Sequence, residues 1–254
     1  AQFMDTHFPY MPPSSEYSTK DQIKLNYRMT RNRVSDRSIA PKDQRSILDL
    51  YCEEINYLDS ELEKLFEELE DHGELSNTLI IFTADHGELL GERGTFAHKS
   101  ARLDSPLTHV PLIMWAKNLP NNWIHDPVSL VDIVPTVYDY FDITNYGSVD
   151  GCSLRPVIEG DRTPKTPAIS EMGHDPQDFQ GPPSKETAVV SIETERGLFT
   201  ADWLNGNVPD TSSDEFELLY NRRSEIEDTG NSNVGEQLQD DSAQKRLKDL
   251  GYLE

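Results

Sequence analysis

The strongest periodic pattern in the chain is an apolar stripe that begins shortly after Pro41. Apolar side chains recur there every three or four residues, which is the spacing of one face of a helix. The stripe comprises Ile47, Tyr51, Ile55, Leu58, Leu62, Leu65 and Leu69. Because the opposite positions are rich in Glu and Asp and Gly73 supplies a stop signal, we predict a long surface helix from Pro41 to Gly73. Cys52 falls on the apolar side and is predicted to be buried.

Two short apolar runs predict buried strands after this helix. The first run covers residues 78–83 and leads into Asp85-His86-Gly87, and the second covers Val110–Trp115. Residues 128–138 are predicted to run from a turn into a helix that has Pro135 near its start. The succession of helix, turn, buried strand and polar loop is typical of a three-layer α/β fold.

The N-terminal flank carries weaker signals. Three prolines between Pro9 and Pro13 exclude a helix in that segment. The polar and basic residues 21–41 are expected to form a loop or a short helix. No segment repeats elsewhere in the chain.

The C-terminal third has short apolar runs separated by turn residues, which predicts a small antiparallel sheet. A short helix is expected near residues 241–250. We therefore divide the chain into an α/β part, 1–165, and a small antiparallel β subdomain with a C-terminal helix, 166–254. The predicted strands of this subdomain are Thr187–Glu193, Gly197–Trp203 and Glu215–Tyr220.

The charge balance limits the partners that the chain can have. It carries 46 acidic and 23 basic residues, a net charge of -23, and therefore repels nucleic acid and anionic membranes. No run approaches the roughly 18 apolar residues of a membrane span. The acidic residues are dispersed and lysines are few, which favours a halophilic protein; an ordinary acidic protein is the alternative. We expect a cytoplasmic location, with secretion as the alternative.

Asp85 and His86 are the first candidates for chemistry, because they follow a strand directly. Ligands bind beyond the carboxyl ends of strands in open parallel α/β sheets, and Gly87 permits a sharp turn there. A carboxylate beside one imidazole suits Ca²⁺, Mg²⁺ or Mn²⁺ and tolerates Zn²⁺. The alternative is that Asp85 caps a helix and His86 is an ordinary loop residue.

Several short sequence motifs precede and follow this loop, and their order along the chain is informative. They are His7-Phe8-Pro9-Tyr10, Thr83-Ala84-Asp85-His86-Gly87-Glu88, Gly91-Glu92-Arg93-Gly94, Lys99, Thr108-His109-Val110-Pro111-Leu112-Ile113, Asp132-Ile133-Val134-Pro135-Thr136, Asp150-Gly151-Cys152-Ser153-Leu154 and Glu217-Leu218-Leu219-Tyr220-Asn221. This order resembles the sulfatases, a family of the alkaline-phosphatase-like superfamily. The resemblance covers most of the chain and implies a partial alkaline-phosphatase-like three-layer sandwich, followed by the small antiparallel subdomain.

The resemblance also implies a hydrolase that acts on a small-molecule or carbohydrate sulfate ester. It assigns Asp85 and His86 as ligands of a divalent metal, with calcium expected and magnesium or manganese as alternatives. It assigns His7 and Lys99 to the catalytic machinery. Because the spacing after Lys99 is about one residue longer than in relatives, His98 is kept as an alternative for the same cationic position.

Two parts of the sulfatase pattern do not occur in the chain. The family makes formylglycine, its nucleophile, in a Cys/Ser-x-Pro-x-Arg motif, and it has an early Asp-Asp pair that ligates the metal. Cys152–Pro156 has a similar composition, but its Arg and Pro are transposed. We therefore expect the nucleophile to lie in a missing N-terminal half and the isolated chain to be inactive.

The sequence is compatible with several kinds of protein. The chain is expected to be a fragment, either cut from a longer sulfatase or one half of a split enzyme, and an unpaired sheet edge would favour an oligomer. A phosphoric or phosphonic ester hydrolase of the same superfamily is the second candidate. A non-catalytic binding or assembly module is the third.

Overall fold

The computed structural model describes residues 1–35, 37–98, 103–144, 147–160, 167–173, 188–194, 196–203, 206–210 and 212–229. Short 3₁₀ turns at Leu75–Asn77, Glu92–Gly94 and Leu130–Asp132 connect some of its elements. In chain order the helices and strands are α1 Thr19–Ser35, α2 Pro41–Asp71, β1 Ile80–Thr83, α3 Ser105–Thr108, β2 Leu112–Trp115, α4 Ile133–Tyr140, α5 Arg155–Ile158, β3 Ala168–Gly173, β4 Ala188–Thr194, β5 Gly197–Asp202 and α6 Asp214–Thr229.

The long helix predicted after Pro41 is present as α2, but it buries a different face. Its buried residues are Asp43, Ile47, Leu50 and Glu54. Ile55 is 43% exposed and Cys52 is also exposed, so the prediction that Cys52 is buried was wrong. Among the described residues, the buried positions of α2 all lie in its first half, and beyond Glu54 the apolar stripe is partly buried at Leu58, Leu62 and Leu69 and exposed at Ile55 and Leu65.

Helix α1 occupies the segment expected to be a loop or a short helix, and it is 17 residues long. Its buried face combines Leu25 and Met29 with polar Gln22, Asn26 and Asn32. Because amides occupy so much of this face, the apolar periodicity that would reveal the helix is weak. Leu25 and Met29 belong to the main core, whose other buried members are Tyr10, Ile39, Ile47, Leu50, Phe96 and Ala97.

Strands β1 and β2 confirm that the two apolar runs form strands, in shorter form. The prediction that these strands are buried was wrong, because all four residues of β1 are only partly buried and Ile113 and Trp115 of β2 are exposed. They pair antiparallel, with Ile80 opposite Trp115 and Thr83 opposite Leu112. The chain therefore leaves β1 at the same end at which it enters β2. The Asp85-His86-Gly87 loop and the segment before Leu112 both start from this end of the strand pair.

The predicted helix after residue 128 is also present, as α4 with Pro135 in its first turn. Ser129 and Asp132 form a capping box in the 3₁₀ turn that leads into it. Asp132 also binds the 150–154 turn, since its Oδ1 accepts a hydrogen bond from the Cys152 N–H at 2.9 Å. Thr136 Oγ1 donates to the Asp132 carbonyl at 2.6 Å and accepts from the Leu154 N–H at 2.8 Å.

The chain divides into two compact units. One contains Ala1–Ser170 and Glu193–Leu198, and the other contains Glu171–Ile192 together with the described residues from Phe199 onward. Strands β3, β4 and β5 form a three-stranded sheet in that order. The predicted strands at 187–193 and 197–203 correspond to β4 and β5, whereas β3 was not predicted.

The predicted strand Glu215–Tyr220 was wrong, because these residues lie in helix α6. Ser213 precedes the helix, and its Oγ accepts a hydrogen bond from the Phe216 N–H at 3.1 Å, as an N-terminal cap does. Acidic side chains in the first turn also favour a helix start. The helix predicted near 241–250 lies outside the described residues. No helix among the described residues is both long and apolar enough to cross a membrane.

Candidate active site

Three histidines from distant parts of the sequence meet in the first compact unit. The His98 ring lies 4.5 Å from the His86 ring and 5.2 Å from the His7 ring, measured between centroids. The structure thus brings together three of the five residues proposed for the site. Lys99, the fourth, lies outside the described residues, so the choice between Lys99 and His98 for the cationic position stays a prediction.

Helix α1 fixes the segment that carries His7. The Asn26 side chain binds both polar groups of the Tyr10 backbone, since Oδ1 accepts from the Tyr10 N–H at 2.8 Å and Nδ2 donates to the Tyr10 carbonyl at 2.7 Å. Both residues are buried. A buried amide that satisfies two backbone groups holds this segment without a regular element of its own.

The same helix fixes the segment that leads to His98. Asn32 is 2% exposed. Its Oδ1 accepts from the Phe96 N–H at 3.0 Å, and its Nδ2 donates to the Gly94 carbonyl at 3.0 Å. One helix therefore holds the chain near two of the three histidines. Sequence reasoning missed Asn26 and Asn32, although amides at 26 and 32 within a mixed polar and apolar segment were a visible signal.

Gly87 lets the loop after β1 pack closely on α3. Its N–H donates to the Leu107 carbonyl at 2.9 Å. A Cβ atom at position 87 would overlap the Pro106 carbonyl oxygen, so the position requires glycine. The glycine of the Asp-His-Gly sequence is therefore needed for close backbone contact, besides any conformational freedom that it gives the turn.

Asp85 and His86 follow β1 in a loop, and no helix begins at Asp85. Asp85 is exposed and its Oδ1 accepts from the His86 N–H at 3.0 Å. His86 Nδ1 lies 2.9 Å from the Gly87 carbonyl oxygen. Because a carbonyl only accepts, this contact requires the hydrogen on Nδ1, so in the neutral ring Nε2 keeps its lone pair, which is how metal-binding histidines are often oriented.

The donor chemistry of this pair suits a divalent cation, because it offers one carboxylate and one imidazole nitrogen. Within the described ranges, no group of three or more His, Cys, Asp or Glu side chains is arranged to hold a metal ion. The described part of the chain thus contributes two donors, Asp85 and His86, and the fit to a metal is partial.

Glu88 connects the histidines to the core. Its side chain is 7% exposed, its Oε1 lies 3.1 Å from His98 Nδ1, and its Oε2 accepts from the Tyr10 hydroxyl at 3.3 Å. Burial raises the pKa of Tyr10 well above its usual range, and the nearby Glu88 raises it further. Glu88 was part of the recognised motif, but sequence reasoning gave it no role in the site.

Solved structures with a similar backbone define the fold class. A phosphonate monoester hydrolase from Silicibacter pomeroyi superimposes with a TM-score of 0.58 at 20% identity, covering 88% of this chain and 52% of that protein. The chain therefore has an α/β fold of the alkaline-phosphatase-like type, with helices and small antiparallel sheets.

Sequence comparison then identifies the family. The Sulfatase family model matches residues 1–143, more than half of the chain, and the chain belongs to the sulfatase family. Arylsulfatase K of Danio rerio is 31% identical over 140 residues, which cover 55% of this chain and 26% of that protein. An N-acetylglucosamine-6-O-sulfatase of Bacteroides thetaiotaomicron is 32% identical over 120 residues, 46% of this chain and 21% of that protein. The chain thus spans about a quarter of these relatives.

Proposed function

We propose that this chain supplies one side of the active site of a sulfatase, which hydrolyses a sulfate ester to an alcohol and sulfate. The observation that carries the proposal is the meeting of His7, His86 and His98 beside Asp85 in a member of the sulfatase family. These residues come from separate segments, and packing on a common core places them together.

Asp85 and His86 are the proposed ligands of a divalent metal, with calcium expected and magnesium or manganese as alternatives. The bound ion would supply positive charge to the oxygens of the sulfate group. The arrangement of His86 supports this role, because its Nδ1 contact with the Gly87 carbonyl leaves Nε2 for a ligand. Further metal ligands are expected from sequence outside this chain.

His7 and His98 are proposed to contact the sulfate group and the leaving oxygen. Imidazoles can donate hydrogen bonds to the ester oxygens and can protonate the departing alkoxide. Their ring contact places both at one location. Lys99 follows His98 directly and is proposed to add a positive charge there, as the family resemblance implies.

The nucleophile is proposed to lie outside the 254 residues, since the chain has no Cys/Ser-x-Pro-x-Arg motif. The isolated chain should therefore be inactive. A phosphoric or phosphonic ester hydrolase is the second candidate, because the similar solved structure is a phosphonate monoester hydrolase. The substrate is proposed to be a carbohydrate sulfate, since one relative is an N-acetylglucosamine-6-O-sulfatase.

The gene sequence upstream of Ala1 is the first test of this function. A Cys/Ser-x-Pro-x-Arg motif there supports the sulfatase, and a single Thr or Ser nucleophile in its place supports the phosphoric or phosphonic ester hydrolase. The protein encoded by the whole gene is then assayed on an aryl sulfate and an aryl phosphate. Turnover by the 254-residue chain alone would contradict the proposed division of the site.

Calcium titration of the purified chain tests the metal ligands. We expect weak binding, because the chain provides two ligands, and Asp85→Asn should lower it further. Asp59→Asn is the matched control, since Asp59 is an exposed aspartate on α2, far along the sequence from the loop. Equal calcium binding by the two variants would exclude Asp85 as a ligand.

A further inference from the structure

Glu88 is a buried carboxylate that contacts a core tyrosine with one oxygen and a histidine of the proposed site with the other. One oxygen faces the Tyr10 hydroxyl and the other faces His98 Nδ1. His98 is 26% exposed and touches the two other histidines of the site. The carboxylate therefore lies between the apolar core and the proposed active site.

Tyr10 fixes one oxygen of this carboxylate, because its hydroxyl donates a hydrogen bond to Glu88 Oε2. The Tyr10 ring is fully buried and makes edge contacts with Tyr51 and Phe8, while its backbone is held by Asn26. Because burial raises the Tyr10 pKa, the hydroxyl keeps its proton and acts as a donor. Glu88 Oε2 is thus the acceptor, and the carboxylate is held in one orientation from the core side.

The other oxygen then determines the state of His98. A carboxylate can only accept hydrogen bonds, so the nitrogen that faces Glu88 Oε1 must carry the hydrogen. That nitrogen is Nδ1, and in the neutral ring Nε2 is then the acceptor. We infer that Glu88, anchored by Tyr10, is a positioning residue that holds His98 as the Nδ1–H tautomer and reserves its Nε2 for the site.

The significance of this role rests on the proposed function, because Nε2 is then the nitrogen that meets the sulfate ester or its leaving group. The tautomer itself is a property of the chain and does not require turnover. A failed sulfatase assay would leave the tautomer unchanged, whereas a different tautomer would overturn this inference whatever the enzyme assay shows.

The tautomer can be read by NMR on the full chain labelled with ¹⁵N at histidine, about two pH units above the ordinary imidazole pKa of about 6.5. His98 is assigned by the loss of its signals in His98→Gln, which is practical because the chain has seven histidines. We expect a protonated, pyrrole-type Nδ1 and an unprotonated, pyridine-type Nε2. The opposite pattern in the unaltered chain would refute the inference, so the test does not depend on any variant folding.

Glu88→Gln provides the second arm, because an amide can face Nδ1 with either a donor or an acceptor. We expect the single tautomer of His98 to become a mixture. Glu54→Gln is the matched control: Glu54 is also buried and lies near Tyr10, but it accepts a hydrogen bond from the Met11 N–H instead. An unchanged His98 pattern in Glu88→Gln, or the same change in both variants, would contradict a positioning role for Glu88.

Discussion

Two aspartates of the first compact unit differ in burial and in role: Asp132 is a buried structural residue, and Asp85 is an exposed residue of the proposed site. Asp132 is 6% exposed and both of its oxygens accept backbone hydrogen bonds, from the Ser129 N–H at 3.0 Å and from the Cys152 N–H at 2.9 Å. Asp85 is exposed, and its Oδ1 accepts the N–H of the next residue, His86. Asp132 joins two segments that are 20 residues apart, whereas this hydrogen bond of Asp85 lies within its own loop.

The difference follows from desolvation. Removing a carboxylate from water is costly unless hydrogen bonds replace the water, and two backbone donors do this for Asp132. Asp85 keeps its access to solvent, which a metal ligand needs because the ion must be able to enter. Asp132 and Thr136, together with the 150–154 turn that they bind, thus form a structural junction. The Asp85 loop, with the histidines beside it, is the proposed binding site.

Gly151→Ala should have the largest effect, because it breaks the structural junction at its tightest point. An added Cβ would overlap the Val131 carbonyl, and the neighbouring backbone would have to move. We expect the free energy of unfolding to fall by about 3 kcal/mol, as for severe overpacking. Gly147→Ala is the matched control, since a Cβ there has no neighbour within 4 Å. Urea unfolding that shows equal losses for both variants would contradict the close packing at Gly151.

The same substitution at the two aspartates tests the comparison directly. Asp132→Asn replaces one acceptor oxygen by an amide that faces a backbone N–H, so we expect a loss of about 2 kcal/mol in unfolding free energy. Asp85→Asn should change stability by less than about 0.5 kcal/mol, as for most surface positions. Thermal or urea unfolding of both variants measures the contrast. If Asp85→Asn proved as destabilising as Asp132→Asn, Asp85 would be a structural residue too.

The sequence predicted the helix whose apolar residues repeat regularly and the strands whose apolar runs end sharply at polar or turn residues. The 31-residue helix α2 and the strands β1, β2, β4 and β5 were found in this way. Periodicity alone did not show which part of α2 would be covered. Cys52 was consequently misjudged, because the buried face of α2 is set by its contacts with other segments.

Elements whose buried face is polar were harder to predict. Helix α1 buries amides that bind the backbone of distant segments, and such pairings have no local signature in the sequence. Polar and apolar residues alternate at the start of α6, which is the pattern of a short strand, but the Ser213 cap and the acidic first turn favour a helix there. Asp85 and His86 were proposed from their position directly after a strand, and His7 from the family resemblance, whereas the contact between Glu88 and His98 could be seen only in the fold.

Thr136→Val tests the second side chain of the junction, with a smaller expected effect. The threonine hydroxyl is fully buried, donates to the Asp132 carbonyl and accepts from the Leu154 N–H. Valine has the same shape but leaves that N–H without its partner, and we expect a loss of about 1.5 kcal/mol in unfolding free energy. Thr136→Ser keeps the hydroxyl and should retain more of the stability. A valine variant at least as stable as the serine variant would show that packing, not hydrogen bonding, matters at this position.

Glu54 extends the comparison to a buried carboxylate with a weaker set of donors. It is 4% exposed and accepts the Met11 N–H, and burial raises its pKa above the ordinary value of 4.5, with Asp5 and Glu53 adding to the shift. A carboxyl whose pKa is higher in the folded state binds its proton more tightly there. Its contribution to stability is therefore greatest below pH 4.5 and declines as the pH rises through the raised pKa.

Glu54→Gln removes this titration. The unfolding free energy of the variant, measured relative to the unaltered chain, should therefore increase as the pH rises from 4 to 7. We expect this increase to be smaller than the losses of unfolding free energy at Gly151 or Asp132. A difference between the two proteins that stays constant over this range would mean that the carboxylate pays no net desolvation cost, and that Glu54 resembles Asp132 after all.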